Sequence, residues 1–305
     1  MSAHDRREAD VMHPLATLTE GLGGFVSFEQ LRRRGVSERA VRSALRHGLR
    51  RARRGIYTTR PADDPGVLAV AAGCRTTGLT ALRELGCWSR TPTAQHWVAP
   101  AHAGRVGVVP PSVQLHWRHT PPIGDGTISR DSVADSLVRV ALDEPFEDAV
   151  AAFDWALHER AVSSDALNRA LLALPGRASA IRHTVDLLCE SFPESIARTR
   201  LRARGLRVES QLPVARTRRI DLVVEGVIAI EVDGRRYHES EFERDRRKDL
   251  AILREGRTVV RASAVMVEHH WSDIEDAVLV ALAQHRGLRA RRRHDIRRSS
   301  ASARR

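Results

Sequence analysis

Apolar and polar positions change rhythm several times along the chain, and the sharpest change lies between Arg219 and Asp249. Ile220-Asp221-Leu222-Val223-Val224 and Val227-Ile228-Ala229-Ile230-Glu231-Val232-Asp233 are β-rich runs on either side of Glu225-Gly226, the pattern of a hairpin. The runs are nearly continuous rather than alternating, which predicts strands buried on both faces. The flanks extend the pattern. Ser191-Phe192-Pro193-Glu194 starts a helix that reaches Arg204 and stops at Gly205, and Leu206 to Val214 reads as a strand. Glu241 to Glu255 is a charged helix with Phe242, Leu250 and Leu253 on one side, closed by Gly256. Thr258 to Arg261 is a short strand. Ser272-Asp273-Ile274-Glu275 reads as a capping box opening a last helix with the stripe Ile274, Val278, Ala281, Leu282. The order is α-β-β-β-α-β-α.

Nearer the N-terminus the rhythm is helical. Met1 to Glu20 reads as a flexible extension. A short helix then ends at Gly35, and Ser37 caps a second one through Arg46. Val41 and Leu45 face inward, while Arg39, Arg42 and Arg46 take the outer face. Leu49 to Thr58 alternates enough to form a small β-wing, and together these elements suggest a winged helix-turn-helix. Pro61 to Pro65 looks like a linker. Val67 to Arg83 reads as an Ala-rich helix, Trp88–Val98 and Val106–Trp117 as strands, the second broken by Pro110-Pro111. Helices are expected over Ser129–Leu142, Phe146–His158 and Ser164–Leu174. His96, His102, His116 and His119 are scattered without ligand spacing, so no metal is expected there. Arg286 to Arg305 is Arg- and Ser-rich and is expected to be disordered.

Composition narrows the class. A formal charge of +12 favours an anionic partner, most often nucleic acid, with duplex DNA the expected one. Nearly every basic residue is Arg, as a GC-rich genome would produce, but codon bias does not explain the excess of positive charge. Cys74, Cys87 and Cys189 are odd in number and lack CxxC spacing, which fits a cytoplasmic, reducing setting and no structural zinc. No apolar run is long enough to span a bilayer, and the first residues lack a signal-peptide core, so no membrane partner is expected.

Asp221, Glu231 and Asp233 interrupt the apolar runs. Ionised carboxylates in a buried strand are costly unless paired or holding a cation, so this group suggests a divalent-metal site with hard oxygen ligands. A strict two-residue turn at Glu225-Gly226 would throw Asp221 and Glu231 onto opposite faces. A shared metal therefore predicts an odd-numbered loop or a bulge between them. Glu194 stands three residues after Ser191, where a capping box would place it in any case. Glu194, Asp233 and His238 are expected to rim the same concavity.

These residues carry a resemblance. The element order, with a helix Glu, an Asp in the second strand and a Glu-x-Asp in the third, resembles the PD-(D/E)XK nuclease superfamily. Glu231-Val232-Asp233-Gly234-Arg235-Arg236-Tyr237-His238 is similar to the block of very-short-patch-repair-like endonucleases, and most of all to their relatives in the domain-of-unknown-function family 559. The first sixty residues, ending the wing in Gly55-Ile56-Tyr57, resemble the N-terminal domain of AbiEi-type antitoxins. One position departs from the superfamily: its third-strand motif ends in Lys, where this chain has Asp233, and the single lysine, Lys248, is on the following helix. The very-short-patch type also lacks that Lys and relies on His.

Pattern and resemblance together give an α/β (α+β) multidomain protein: residues 1–20 flexible, 21–62 winged helix-turn-helix, 63–188 a mixed α/β middle region and 288–305 a basic disordered tail, with 189–287 the restriction-endonuclease-like core that the resemblance implies. The resemblance also implies a Mg²⁺- or Mn²⁺-dependent endonuclease in which Asp221, Glu231 and Asp233 hold the metal. Glu194 is then the first-helix acid and His238 activates water. Arg235, Arg236, Arg247 and Lys248 are placed to grip phosphates, and Arg39, Arg42 and Arg46 to contact DNA through the N-terminal domain. A competing reading is a non-catalytic DNA-binding regulator or antitoxin with a degenerate nuclease domain. A homodimer and a toxin–antitoxin partner stay open under both.

Overall fold

A computed structural model of the chain describes residues 14–90, 94–214, 218–233 and 239–302. In order, these form α1 (Pro14–Gly21), β1 (Phe25–Ser27), α2 (Phe28–Arg33), α3 (Glu38–Ala44), β2 (Arg50–Arg53), β3 (Ile56–Thr58), α4 (Pro65–Ala72), β4 (Arg75–Thr76), α5 (Gly78–Arg83), β5 (Gln95–Ala99), β6 (Val113–Trp117), α6 (Val133–Asp143), α7 (Phe146–His158) and α8 (Ser164–Ala173). A 3-10 segment (Gly176–His183) precedes α9 (Phe192–Ala203), β7 (Val208–Val214), β8 (Arg218–Val224), β9 (Ile228–Asp233), α10 (Glu239–Arg254), β10 (Thr258–Ser263), α11 (Ala264–His269) and α12 (Trp271–Ser302). The chain is mixed α and β. It divides into two compact units, Met1–Asp143 with Val162–Gly176, and Glu144–Ala161 with Arg177–Arg305.

That division redraws the expected boundaries, because the stretch 63–188 is not a body of its own. In the first unit, Val67 and Val70 of α4 share a core with Phe25, Ala52 and Ile56, so the N-terminal sheet and the helix after it are one packing unit. The expected linker is a turn ending in a cap: Asp64 accepts hydrogen bonds from the backbone of Gly66 and Val67, with Pro65 at the first helical position. Nor is the whole of 1–20 loose. Leu15 is buried and Leu18 packs against it on Val26, Leu31, Val41, Ala44, Leu49 and Tyr57, which makes α1 part of a core. Ser27 and Gln30 form a reciprocal capping box on α2, and Ser37 caps α3. β1, β3 and β2 form an antiparallel sheet in that spatial order.

A second sheet of the first unit pairs β4 antiparallel with β5, and β5 parallel with β6. The single helix expected over 67–83 is broken at Gly73, whose backbone is left-handed (φ 86°), as a helix C-terminus favours; Thr76 then belongs to a strand. The strands expected over 88–98 and 106–117 are shorter, starting at Gln95 and Val113. The second begins only past Pro110-Pro111, as prolines without an N–H require.

The second unit is built on one four-stranded sheet, in the order β10-β9-β8-β7. β7, β8 and β9 are antiparallel neighbours; β10 returns parallel to β9 through α10. The two-sided burial read from the sequence holds. Leu222, Val224, Ile228 and Ile230 pack with Ile196, Leu201, Val267, Ile274 and Val278, while Val223 and Ala229 pack with Ile252 of α10. The apolar side of α10 is therefore Ala251 and Ile252. Leu250 and Leu253, expected inside, are more than half exposed because the helix is rotated to put Ile252 on the sheet. The stripe Ile274, Val278, Ala281, Leu282 is buried as expected. Ser272-Glu275 is not a capping box: α12 already starts at Trp271, and Glu275 is paired with Arg204. The tail expected to be disordered continues α12 as far as Ser302. Arg and Ala are good helix formers, and neither Pro nor Gly occurs after Gly287 to break the run. No helix among the described residues is long and apolar enough to cross a membrane.

α7 and α9 are joined by a buried ion pair. Arg198 and Asp154, both fully buried at their side chains, meet at 2.6 Å; Asp154 also accepts from Ser195 Oγ (2.5 Å) and from the Asp186 backbone (2.7 Å). Removing one partner strands the other charge. Arg198→Met should destabilise the second unit by about 3–5 kcal/mol, and the double variant with Asp154→Asn should recover much of that loss. Urea denaturation followed by far-UV circular dichroism measures both; equal losses in single and double variants would show that the charge is not what matters.

Candidate active site

The hairpin loop has three residues. Val224 pairs with Ile228, not Val227, and Glu225 and Gly226 both take left-handed backbone (φ 51° and 71°). The odd count is the one a shared carboxylate site required. The ladder runs Val224–Ile228, Val223–Ala229, Leu222–Ile230, so one rung further Asp221 stands opposite Glu231 on the face where α10 packs. At this rung the side chain of Asp221 replaces a backbone acceptor, taking the Val232 N–H on Oδ2 at 2.8 Å.

Helix periodicity then delivers a cation. Ile252 anchors α10 on Val223 and Ala229, and four residues earlier on the same helical face is Lys248. Its Nζ donates to Glu231 Oε2 and is 4.0 Å from Asp221 Oδ1. The sequence suggested that Lys248 contacts phosphate from the helix surface; instead it is largely buried on the two facing carboxylates. Nearest-neighbour pairing extends the polar row across the whole sheet. Gln211 is opposite Asp221 on β7, and Arg261 pairs with Glu231 on β10. Gln211 has left-handed backbone (φ 53°), a strained state for a buried non-glycine, and its Nε2 donates to Glu194 Oε2 at 3.0 Å. Glu194 is held further by Ser191 Oγ (2.6 Å) and the Glu190 N–H (3.1 Å). It therefore combines the capping position with a place within the field of Asp221: burial raises its pKa, and the Asp221 charge adds to that.

Asp233 is exposed and turned to Arg261 Nη1 at 3.2 Å, while Arg261 Nη2 binds Asp249 at 2.7 Å. Asp233 is thus engaged by an arginine, and the expected trio Asp221, Glu231 and Asp233 does not bring three ligand atoms within 4.8 Å of one another among the described residues. Arg247 is exposed on α10. His238, Arg235 and Arg236 lie outside the described residues. Arg39 and Arg42 are exposed on α3 and Arg46 on the turn after it, the outer face expected of them.

Burial dominates the electrostatics. It pushes the Glu231 carboxyl up from 4.5 to about 7, with the Asp221 charge adding to it and Lys248 opposing. Burial also raises Asp221 and Glu194 above the ordinary carboxylate range. Glu231 Oε1 is buried without a hydrogen-bond partner among the described residues. A buried carboxylate oxygen with an idle lone pair, beside a second carboxylate, fits a hard divalent cation.

Gln211 and Arg261 escaped the sequence reading because cross-strand register, not spacing, puts them in line with the acids. So did a second group, in the region where no chemistry was expected: His96, His116 and Asp143 converge in the first unit. Burial, with Arg139 alongside, pushes His116 down to about 4.

A carboxyl raised by folding keeps its proton more tightly in the folded chain than in the unfolded one. For Glu231 that contribution is fully present below about 4.5 and is lost as pH rises through about 7. Glu231→Gln mimics the protonated form. In EDTA, the variant should gain on wild type between about pH 5 and about pH 8, by up to about 3 kcal/mol. Thermal melts across that range test this, and a constant difference between the two proteins would contradict it.

No protein-family model matches the chain, and no curated protein matches it. Among solved structures, RV2827C protein from Mycobacterium tuberculosis is similar over 57% of this chain and 76% of its own, with 20% identity and a TM-score of 0.28. A superposition that low transfers neither fold nor function.

Proposed function

We propose that the second unit is a metal-dependent phosphodiesterase with a restriction-endonuclease-like core, and that α2, α3 and the β2–β3 hairpin of the first unit are a winged helix that binds duplex DNA. The observation that carries the enzymatic reading is the placement of Lys248. Lys and Arg total 50 residues, and Lys248 is the lone lysine. It contacts the two carboxylates that the loop register brings face to face.

Asp221 and Glu231 would hold Mg²⁺ or Mn²⁺ through carboxylate oxygens, with Glu194 beside Asp221. When bound, the ion supplies Lewis-acid polarisation of the phosphate and a more acidic water. The chain's own groups do the rest. Lys248 Nζ offsets the negative charge of the pair and presents an ammonium donor where charge builds on the phosphate. Lysine, a compact point charge, suits that role better than arginine's planar fork. Gln211 holds Glu194 through Oε2 and so keeps the acid from turning away. Arg247 and the arginines of α3 supply phosphate contacts.

Plasmid nicking in Mg²⁺, Mn²⁺ and EDTA tests the enzyme. Wild type should cleave only with metal; Asp221→Ala should abolish cleavage, and Lys248→Ala and Lys248→Arg should each lose roughly 10²-fold or more. Equal background cleavage by all four proteins would leave a DNA-binding regulator as the better reading. For the first unit, Arg42→Glu/Arg46→Glu in the full chain should weaken duplex binding. It should also flatten the dependence of log affinity on log salt by roughly one unit per lost phosphate contact. Unchanged affinity and slope in fluorescence anisotropy would make this face a merely solvated one.

A further inference from the structure

We propose that His96, His116 and Asp143 of the first unit form a tetrahedral transition-metal site of the zinc class, with three protein ligands and the fourth position left to water. His96 is on β5 and His116 on β6. In their parallel register His96 pairs with Gln114, which puts His116 two residues further along the same face. Asp143 is the last residue of α6. The three side chains are 7%, 10% and 15% exposed; Asp143 as a whole residue is exposed at the end of its helix, but its carboxylate is turned in toward the two rings.

The spacing is what points to a metal. His96 Nδ1 and His116 Nε2 are 3.1 Å apart, and Asp143 Oδ2 is 3.2 Å from the first and 3.4 Å from the second. Ligands at about 2.0–2.1 Å from one tetrahedral ion are about 3.3 Å from each other. One atom of each residue is therefore already at the corner of a triangle that a zinc ion would cap. The rings are parallel within 4° at a centroid distance of 5.3 Å, so both nitrogens reach the shared corner without crossing. The backbone is held as well: the His96 N–H donates to Thr80 Oγ1 at 2.7 Å. Two imidazoles and one carboxylate select zinc, cobalt or nickel over magnesium, which prefers oxygen and water.

Arg139 is the competitor. Its Nη1 is 2.7 Å from His116 Nδ1 and its Nε 3.3 Å from Asp143 Oδ2. Donation to Nδ1 requires a lone pair there, so the His116 proton resides on Nε2, pointing at Asp143. Metal binding at Nε2 moves that proton to Nδ1, and Arg139 must then turn away from the ring. The guanidinium and a metal thus compete for the same two side chains.

Titration of the full chain with Zn²⁺ against a chromophoric chelator tests this, with Co²⁺ loading as a readout that needs no variant. Wild type should take up one zinc that Asp221→Ala retains. His116→Ala and Asp143→Asn should weaken it by at least the roughly 100-fold that loss of an outer-shell partner can cost. Arg139→Ala should bind several-fold tighter. Bound Co²⁺ should show the intense visible bands of tetrahedral coordination. Weak octahedral bands, zinc uptake lost in Asp221→Ala alone, or no stoichiometric uptake by wild type would each overturn the site.

Discussion

A row of polar side chains runs across a sheet that has an apolar core on each face, and the second unit depends on how that row is neutralised. Gln211, Asp221, Glu231 and Arg261 come from four neighbouring strands at one level. Glu231 is buried and Asp221 half-buried on adjacent strands, like charges that repel unless a cation is present. Lys248 supplies it from above, and Arg261 balances the far end through Asp233 and Asp249. The apolar contact of Ile252 fixes the phase of α10, and that phase in turn fixes Lys248. Packing and charge are therefore one constraint in this unit, because a helix rotated to bury Leu250 and Leu253 would carry Lys248 off the carboxylates.

Much of this was legible in the sequence. The buried hairpin, the element order as far as the last strand and the Asp221–Glu231 pairing follow from period and from the cost of burying carboxylates, while the short helix α11 before α12 was not expected; the three-residue loop follows from requiring that both acids share a face. What sequence could not supply was the rotational setting of α10. Its apolar residues Leu250, Ala251, Ile252 and Leu253 are consecutive, so a window of them fits several faces, and only contact with Val223 and Ala229 selects one. The role of Lys248 was hidden behind the same ambiguity. Gln211 was hidden for another reason: a left-handed residue inside a strand has no signature when it is not glycine.

The first unit shows the opposite balance. Its local signals were strong: Ser37 caps α3 as expected, and Ser27 caps α2. Its long-range chemistry was invisible. His96 and His116 are twenty residues apart and meet only because β5 and β6 are parallel, a pairing that no local pattern announces. Asp143 joins them from the end of a helix, by a contact that crosses from sheet to helix layer. The linker reading was misled similarly: a proline-rich stretch looks like a linker, yet Pro65 is pre-organised for the first turn of α4, whose valines complete the core begun by Phe25.

The near-absence of lysine has a practical consequence. Apart from the α-amino group, Lys248 is the chain's only amine. Isotopic reductive methylation would therefore put a single side-chain probe in the second unit, reporting on Asp221 and Glu231 without interference from a labelled surface. Its low exposure, 14%, makes the rate of that labelling a gauge of how open the carboxylate pair is to solvent. Conversely, amine-directed immobilisation, which couples at random through a surface with many lysines, would be confined here to the α-amino group as long as Lys248 stays on its carboxylates.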